Sequence, residues 1–345
     1  MPGITDVSGV LVGHAQDDAA LTGCTVVLTM GGAVAGVDVR GSAPGTRETD
    51  LMRPCNLVER VHAVVLTGGS AYGLDAACGV MQFLEGRGVG FNTGFGVVPI
   101  VGAAVIFDLA VGDPKVRPDR QMGYAACASA SADPCREGNV GAGLGATVGK
   151  MCGPAYAMKG GLGTWAVSLP GREGGDLIVV GAIVVVNAVG DVVDPDSGRV
   201  IAGAYDIKAR KFVRSAAEPD GILTEPGSPG SLGSVGFAWN TTLAVVATNA
   251  RLDKEGANKV AQMAHDGFAR VIRPVHTMYD GDTVFALSTG DKAFTGDKAA
   301  DITALGAAAA DAVAVAIVRA VKAATAAGGV PAVRDITNAG AGCEN

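Results

Sequence analysis

A compact apolar run, Phe237–Ala250, constrains the fold of this chain more than any other stretch. The residues before it, 218–236, are rich in glycine, proline and serine, whereas the run itself, F-A-W-N-T-T-L-A-V-V-A-T-N-A, is mostly apolar and β-branched. Short apolar runs bounded by turn residues are typical of buried strands. The sequence therefore predicts a flexible loop followed by a core strand, with the change of character at the Asn240–Thr241 junction.

The same junction permits a chemical interpretation. If the chain were cut between Asn240 and Thr241, the new amino terminus would be anchored at the start of a strand instead of fraying. The hydroxyl of such a threonine is a weak nucleophile, but its own α-amine, with a pKa of ~7.7–8.0, can accept the hydroxyl proton. The alternative is that Asn-Thr-Thr merely starts a strand after a loop, which is the commoner role of such residues.

Composition limits the class of protein and its partners. The chain has 345 residues, of which 48% are hydrophobic and 52 are glycine, and this suits a densely layered α/β protein with many tight turns. The net charge is −7 and no basic run is longer than Lys208–Lys211. We therefore expect no nucleic-acid partner and no anionic membrane partner.

Signals for targeting and for metal binding are weak. The first ten residues lack the basic and apolar regions of a signal peptide, so a cytoplasmic location is expected. The longest apolar run, Leu177–Val186 with its continuation to Val189, is shorter than the ~20 residues of a membrane span and predicts a central strand. Seven cysteines without a C-x-x-C pair favour reduced thiols. Neither a metal nor a cofactor is expected.

The remaining segments predict a mixture of strands and helices. Three short strands are expected first, in V-S-G-V-L-V-G-H, C-T-V-V-L-T and G-A-V-A-G-V-D-V-R-G. A strand, a glycine turn and an amphipathic helix over Ala71–Glu85 follow. Near the end, the pattern predicts one helix capped by Asp253 and ended by Pro274, and an alanine-rich helix over Asp301–Ala324.

Two glycine-rich turns do not match the motifs of known ligand-binding loops. The turn T-G-G-S-A-Y-G lacks the G-x-G-x-x-G order of a dinucleotide site, and Tyr72 stands where a nucleophile elbow centred on Ser70 needs glycine. The run Gly141–Lys150 lacks the glycine spacing of a P-loop, and Met151 replaces its Ser or Thr. By itself Lys150 is best explained as a solvated turn lysine.

Polar residues at strand ends leave alternatives open. Asn187 interrupts the most apolar strand, so it is either a bulge or turn residue or a donor directed into a site. Asp280 and Asp282 flank a glycine ahead of an alternating strand, which is the plain pattern of a hairpin. Paired carboxylates also bind a cation or hold a proton. His276 nearby makes a metal conceivable, although no known metal-binding spacing is present.

Several segments in one order resemble the DmpA family of self-processing aminopeptidases and amidases. They are T-G-G-S-A-Y-G-L-D-A, A-V-I-F-D-L, G-A-G-L-G-A-T-V-G-K, V-V-V-N-A-V-G, N-T-T-L-A-V-V-A-T-N-A-R and V-H-T-M-Y-D-G-D-T-V-F-A. The resemblance covers nearly the whole chain. It is closest to the threonine branch, which includes the endo-type 6-aminohexanoate-oligomer (nylon oligomer) hydrolases.

This resemblance implies an architecture. The fold is expected to be α/β, a four-layer αββα sandwich of the kind also found in ornithine acetyltransferases. One domain over residues 1–345 is expected to cleave itself between Asn240 and Thr241, giving an α chain, 1–240, and a β chain, 241–345. Assembly into a homotetramer or a larger ring and a small amide or peptide substrate are also implied.

The resemblance further implies roles for five residues. Thr241 is the nucleophile, and Lys150, Asn187, Asp280 and Asp282 match the family's catalytic lysine, asparagine and two aspartates. In the implied mechanism Thr241 attacks an amide carbonyl and water releases the acyl group. Asn187 then donates to the oxyanion. The aspartates orient the threonine, and Lys150 lowers local pKa values.

One departure bears on the substrate. Phe107 stands where the nylon-oligomer hydrolases carry tyrosine in A-V-I-Y-D-F, so the resemblance implies that this chain lacks a hydroxyl near the substrate site. The β-aminopeptidase branch cuts at Gly-Ser, whereas this chain has Asn-Thr. The alternatives are therefore an aminopeptidase, D-amino-acid amidase or esterase of the same family. An ornithine-type acetyltransferase and a binding protein without enzymatic activity are alternatives of other classes.

Overall fold

The computed structural model describes residues 1–171, 177–213, 240–292, 294 and 296–340. The segment 218–236, which the sequence predicts to be a loop, and the first residues of the apolar run, 237–239, lie outside the described residues. Within these ranges the helices are α1 (Ala76–Glu85), α2 (Arg120–Ala128), α3 (Lys254–Val271), α4 (Lys298–Ala323) and α5 (Val333–Gly340).

The strands are numbered in chain order. They are β1 (Leu11–Asp17), β2 (Thr22–Val39), β3 (Thr46–Arg47), β4 (Arg60–Thr67), β5 (Phe91–Asn92), β6 (Val97–Val98), β7 (Val101–Val105), β8 (Thr147–Val148), β9 (Met158–Lys159), β10 (Gly161–Leu169), β11 (Ile178–Asn187), β12 (Asp191–Val193), β13 (Val200–Ala202), β14 (Tyr205–Asp206), β15 (Lys211–Phe212), β16 (Thr241–Ala250), β17 (Ile272–Arg273) and β18 (Thr283–Lys292).

Nine of these strands form one large sheet. Its order is β10-β11-β16-β18-β2-β4-β7-β3, and β1 pairs with β2 outside this path. The long strand β2 belongs to both halves, because its Val34–Val39 end pairs with β18 while its Cys24–Leu28 end pairs with β4. The register between β2 and β4 shifts between Leu28 and Ala33. A bulge of this kind bends a strand, which lets the two halves of the sheet face each other.

Three buried cores separate four layers. Helices α3 and α4 cover the outer face of β10, β11, β16 and β18, and α1 and α2 cover the outer face of β2, β4 and β7. The inner core lies between the two halves and joins side chains such as Val185 and Leu243 with Val64 and Leu66. The predicted four-layer αββα sandwich is confirmed.

The position of β16 explains its composition. Leu243, Val245 and Ala247 belong to the inner core, whereas Ala244 and Val246 belong to the core under α3 and α4. Because successive side chains of a strand point to opposite faces, a strand between two cores must be apolar on both. The sequence predicted this strand, and it begins at Thr241.

Three predicted elements differ from the structure. The second and third early strands are one continuous strand, β2, because the glycines in its middle form a bulge and do not end it. The helix predicted over Ala71–Glu85 begins as a 3-10 turn, Ser70–Asp75, where Gly73 packs closely against the carbonyl of Gly68. The second long β signal, after Asn187, yields only the short strands β12 and β13.

The helices near the carboxyl end follow their predicted signals. Asp253 caps α3 by accepting from the N–H of Gly256 at 2.8 Å, and α3 ends ahead of Pro274. Asp297 caps α4, which therefore begins one turn earlier than predicted. Helix α4 is long and apolar enough to span a membrane. However, 67% of its most apolar segment is buried against the rest of the protein, as in the core helix of a folded domain.

Candidate active site

The end of β11 and the start of β16 bring Asn187 and Thr241 together. The two strands pair antiparallel, and their register places Asn187 directly opposite Thr241. Both residues are buried, with exposed fractions of 0% and 4%. Asn187 is the last residue of a regular strand, and its carboxamide faces polar groups. Of its two interpretations, a bulge or turn residue and a donor directed into a site, the structure therefore favours the second.

The segment before β18 clamps the peptide bond between Asn240 and Thr241. Asn240 forms a parallel bridge with Asp280: its N–H donates to the carbonyl of Tyr279 at 3.0 Å, and its carbonyl accepts from the N–H of Gly281 at 2.8 Å. The hydroxyl of Thr241 lies 2.5 Å from the same carbonyl oxygen. The hairpin interpretation of Asp-Gly-Asp is wrong, because the strand that follows pairs with β16 and β2 and not with the segment directly ahead of Asp280.

Asp282 links this segment to the start of β16. Its Oδ1 accepts from the N–H of Thr242 at 2.7 Å. Its Oδ2 accepts from the N–H of His276 at 3.1 Å and lies 2.8 Å from the ring Nδ1 of the same histidine. The side chain of Asp282 is 1% exposed. Both oxygens of the Asp282 carboxylate are therefore held by hydrogen bonds, and one of these bonds is to Thr242, the residue next to Thr241.

Asp280 is buried next to Asp282 and is held differently. Its Oδ2 accepts from the N–H of Thr277 at 2.9 Å and from the hydroxyl of Thr277 at 2.6 Å, and its Oδ1 accepts from the N–H of Val189 at 3.3 Å. Burial, with the nearby charge of Asp282, raises the pKa of Asp280 to about 6. This carboxyl group can therefore exchange a proton near neutral pH.

Lys150 is buried and hydrogen-bonded, so its interpretation as a solvated turn lysine is wrong. Its Nζ donates to Oδ1 of Asn187 at 2.8 Å and to the carbonyl of Asn187 at 3.2 Å. Burial lowers the pKa of Lys150 to about 7, although Asp280 acts in the opposite direction. A substantial neutral fraction at physiological pH makes this amine a candidate base.

The carboxamide of Asn187 has a fixed orientation. Its Oδ1 accepts from Lys150 and also from the N–H of Thr147 at 3.0 Å, while its Nδ2 donates to the carbonyl of Phe107 at 3.1 Å. Since both acceptor contacts are on one atom, the assignment of oxygen and nitrogen follows from the donors around it. One N–H of the amide is engaged by Phe107, and the amide has a second one.

Thr241 and Phe107 line one cavity of about 390 Å³. All its lining side chains are uncharged: Ala43, Pro44, Gly45, Ser70, Ala71, Tyr72, Val105, Phe107, Leu109 and Thr241. Most are apolar, which is common in small-molecule sites. Among the described residues, no three His, Cys, Asp or Glu side chains are arranged to hold a metal ion.

Two buried charged residues near the site were missed by the sequence analysis. Asp108 accepts from the N–H of Gly69 at 2.7 Å and from the hydroxyl of Thr22 at 2.7 Å. It therefore connects the Ser70–Tyr72 edge of the cavity to the segment after β7 that contains Phe107. Lys159 is fully buried and donates to the carbonyl of Leu144 at 2.6 Å, and burial lowers its pKa to about 7. The aspartate in A-V-I-F-D-L was the available signal.

With this geometry in place, the comparison with known proteins defines the class. Residues 3–333 match the model of Peptidase family S58, so the chain belongs to this family. The resemblance to DmpA-type enzymes is thereby confirmed.

Individual relatives agree with this class. The chain is 45% identical over 354 residues to an uncharacterized aminopeptidase of Mycobacterium bovis, covering 97% of this chain and 98% of the relative. It is 33% identical over 286 residues to a 6-aminohexanoate-oligomer endohydrolase of Paenarthrobacter ureafaciens, covering 83% of this chain and 74% of that protein.

A solved structure supplies the fold relationship. The L-aminopeptidase D-Ala-esterase/amidase of Ochrobactrum anthropi, described as a variant of the Ntn-hydrolase fold, matches with a TM-score of 0.69 at 22% identity, covering 98% of this chain and 94% of that one. The protein is therefore a peptidase or amide hydrolase with the Ntn-hydrolase fold.

Proposed function

We propose that this protein cleaves its own Asn240–Thr241 bond and then uses Thr241 as an N-terminal nucleophile to hydrolyse small amides. One observation carries the proposal: the hydroxyl of Thr241 and a backbone N–H donor, that of Gly281, both lie at the carbonyl of Asn240. A nucleophile beside a carbonyl whose oxygen is held by a hydrogen-bond donor is the arrangement that acyl transfer requires.

The self-cleavage is an N-to-O acyl shift followed by hydrolysis. Thr241 Oγ loses its proton and bonds to the carbonyl carbon of Asn240, the C–N bond breaks, and the departing nitrogen takes up a proton to become the α-amine of Thr241. Water then hydrolyses the resulting ester and leaves a carboxylate on Asn240. Lys150, with a pKa of about 7, and Asp280, with a pKa of about 6, are groups that can accept and return the proton near neutral pH.

Substrate turnover repeats this chemistry with an external amide. The free α-amine of Thr241 takes the hydroxyl proton, the oxygen attacks the substrate carbonyl, and water releases the acyl group. The second N–H of the Asn187 amide is the donor for the oxyanion, since the first is held by the Phe107 carbonyl beside the cavity. Asp282 holds the strand start through Thr242.

The cavity favours an uncharged substrate segment. None of its lining side chains carries a charge, so a substrate ammonium would lose its hydration without gaining a counter-ion there. We therefore propose linear amides, including oligomers of 6-aminohexanoate, as the main substrate class, in line with the endohydrolase relative. Aminopeptidase action, suggested by the other relatives, is the second candidate, with amidase or esterase action of the same family.

Assembly into a homotetramer or a larger ring, which the family resemblance supports, and a cytoplasmic location are also part of the proposal. Acyl transfer of the ornithine type uses the same nucleophile but passes the acyl group to an amine. It is the alternative from another class of enzyme.

Intact-mass measurement of the purified protein tests the proposal. We expect two chains, 1–240 and 241–345, with the smaller beginning Thr-Thr-Leu-Ala, and a single chain in the Thr241→Ala variant. The processed enzyme is then assayed on a 6-aminohexanoate oligomer with a free and with an acetylated amino terminus. Equal turnover of both favours endo action, whereas loss of turnover on acetylation favours an aminopeptidase. A wild-type chain that stays whole after long incubation contradicts the proposal.

A further inference from the structure

His276, whose side chain is 18% exposed, lies against the buried Asp282, and the proposed mechanism gives this histidine no role. The carboxylate of Asp282 divides its oxygens, since Oδ1 accepts from Thr242 and Oδ2 faces Nδ1 of His276 at 2.8 Å. A carboxylate only accepts hydrogen bonds, so this contact requires the proton of a neutral His276 to be on Nδ1. The geometry therefore specifies one tautomer of this ring.

A second imidazole, His265 of α3, forms a cluster with His276 and is consistent with that tautomer. Its Nε2 lies 3.0 Å from the carbonyl of Asp38, which can only accept, so Nε2 carries the proton. Burial lowers the pKa of His265 to about 4, which keeps the ring neutral at pH 7. The two remaining ring nitrogens, Nδ1 of His265 and Nε2 of His276, are buried and have no hydrogen-bond partner within the part of the chain that the structure describes. Both are then unprotonated acceptors, whereas protonation of either would create a buried unpaired donor.

The backbone and the packing of His276 are also constrained. Its φ is +55°, in the left-handed region that few residues other than glycine adopt, with histidine and asparagine among the more tolerant. Its ring centre lies 4.8 Å from that of His265 and 5.8 Å from that of Phe268. A residue held in a sparsely populated conformation and wedged against α3 has little freedom to move away from Asp282.

We propose that His276 is a positioning residue for the Thr241 site, acting through Asp282. Its Nδ1–H fixes one oxygen of the Asp282 carboxylate so that the other oxygen holds the N–H of Thr242, and this sets the position of the adjacent Thr241 hydroxyl. The inference rests on the proposed function of Thr241. Displacing a reacting group by about 1 Å costs on the order of 10²-fold in rate, so removal of this donor should have that effect.

Two substitutions separate the donor from the backbone conformation. His276→Gly keeps the left-handed backbone without strain but has no side-chain donor. His276→Asn tolerates the same backbone and places an amide N–H roughly where Nδ1 lies. We expect the rate of self-cleavage and kcat to fall about 10²-fold in His276→Gly and to return to within a few-fold of wild type in His276→Asn, with KM little changed in both.

His14→Asn is the matched control. His14 lies on β1, where its Nδ1 is 3.0 Å from the hydroxyl of Thr25, outside this cluster. We expect wild-type rates in this variant. Wild-type rates in His276→Gly, or equal losses in the Gly and Asn variants, overturn the proposal. A melting temperature within a few degrees of wild type in His276→Gly shows that any loss is not due to unfolding.

A spectroscopic measurement tests the contact between His276 and Asp282 and does not depend on enzymatic activity. The chain has four histidines, so ¹⁵N-histidine labelling of the uncleaved Thr241→Ala variant gives a spectrum that His14→Asn and His276→Asn assign. We expect the Nδ1–H tautomer for His276 at pH 8. An Nε2–H tautomer overturns the positioning role, even if Thr241 proves to be the nucleophile. Conversely, if the wild-type chain never cleaves itself, the proposed function fails while the tautomer still reports on Asp282.

Discussion

The backbone N–H of Gly281 donates a 2.8 Å hydrogen bond to the carbonyl oxygen of Asn240. The hydroxyl of Thr241 lies 2.5 Å from the same oxygen, and attack of that hydroxyl on the carbonyl carbon would place negative charge on this atom. A donor already directed at the position of the developing charge lowers the barrier, and removal of one such donor costs about 10²–10³ in rate. In the proposed self-cleavage, Gly281, which lies between the two aspartates, therefore takes part through its backbone N–H.

Gly281→Ala should slow self-cleavage about 10²-fold or more. A Cβ at this position would lie 2.7 Å from Thr241 Oγ and 2.7 Å from the carbonyl oxygen of Ala43. The backbone at residue 281 must therefore move away from Asn240 and Thr241 to accommodate it. Intact-mass time courses after denaturation and refolding measure the rate. Gly31→Ala is the control, because a Cβ there meets no atom within 4 Å. Equal rates in both variants would show that the contact between Gly281 and Asn240 does not matter.

Substitution of either aspartate should reduce activity strongly but change the stability of the fold little. Asp280→Asn and Asp282→Asn are each expected to reduce self-cleavage and turnover by orders of magnitude. Because burial raises the pKa of Asp280 to about 6, its stabilising effect is complete below about pH 3.8 and is lost as the pH rises through 6. At pH 8 the folded protein therefore holds an unfavourable charge that Asp280→Asn removes.

At pH 8 the melting temperature of Asp280→Asn should consequently be no lower than that of the wild type. At pH 4 the difference in melting temperature between the variant and the wild type should be smaller. Thermal unfolding at the two pH values checks this. If both aspartate variants cleave and hydrolyse normally, the Asp-Gly-Asp segment is only structural.

The sequence predicted those features of the fold that depend on residues close together in the chain. The amino-terminal cap of α3 and the apolar run of β16 depend on neighbouring residues, and the sequence predicted both. The register that places Asn187 opposite Thr241 depends on pairing between strands more than 50 residues apart in the sequence, and no local pattern encodes it. Only the family resemblance brought those two residues together.

Burial was the property that single residues did not reveal. The glycines beside Lys150 favour a solvated turn, and neither Asp108 nor Lys159 has a periodic signal, because each is a lone charged residue in its segment. All three are buried, and their side chains form hydrogen bonds with residues 15 or more positions away in the chain. Their altered pKa values therefore follow from tertiary structure and not from sequence spacing.

Lys150→Met should abolish self-cleavage and raise stability in a pH-dependent way. Burial lowers the pKa of Lys150 from 10.5 to about 7, so the folded state carries the full cost of the buried ammonium below pH 7, and this cost declines as the pH rises from 7 towards 10.5. The gain in melting temperature should accordingly be larger at pH 6.5 than at pH 9.5. Lys208→Met, at an exposed lysine, should show no such pH dependence. A lower melting temperature for Lys150→Met at pH 6.5 would contradict the assigned burial cost.

Phe107→Tyr should raise hydrolysis of 6-aminohexanoate oligomers. The ring lines the uncharged cavity that contains Thr241, and the backbone carbonyl of Phe107 is fixed by Asn187 at 3.1 Å, so a hydroxyl added to the ring gives the site a new hydrogen-bonding group. A net hydrogen bond contributes about 0.5–1.5 kcal/mol, which corresponds to a gain of up to about tenfold. Phe91→Tyr adds the same hydroxyl at an exposed strand away from the cavity and should change nothing.

The measurement is a side-by-side turnover assay of the processed enzymes on a 6-aminohexanoate oligomer, on L- and D-alanine p-nitroanilide, and on N-acetylornithine with glutamate as acceptor. A gain confined to the oligomer assigns the missing hydroxyl to recognition of an extended amide chain. A gain on all amides alike would assign it to the chemical step, because a group that contacts the oxyanion acts on every substrate. Transfer to glutamate that is faster than hydrolysis of every amide would replace the hydrolase assignment by an acyltransferase, with Thr241 still the nucleophile.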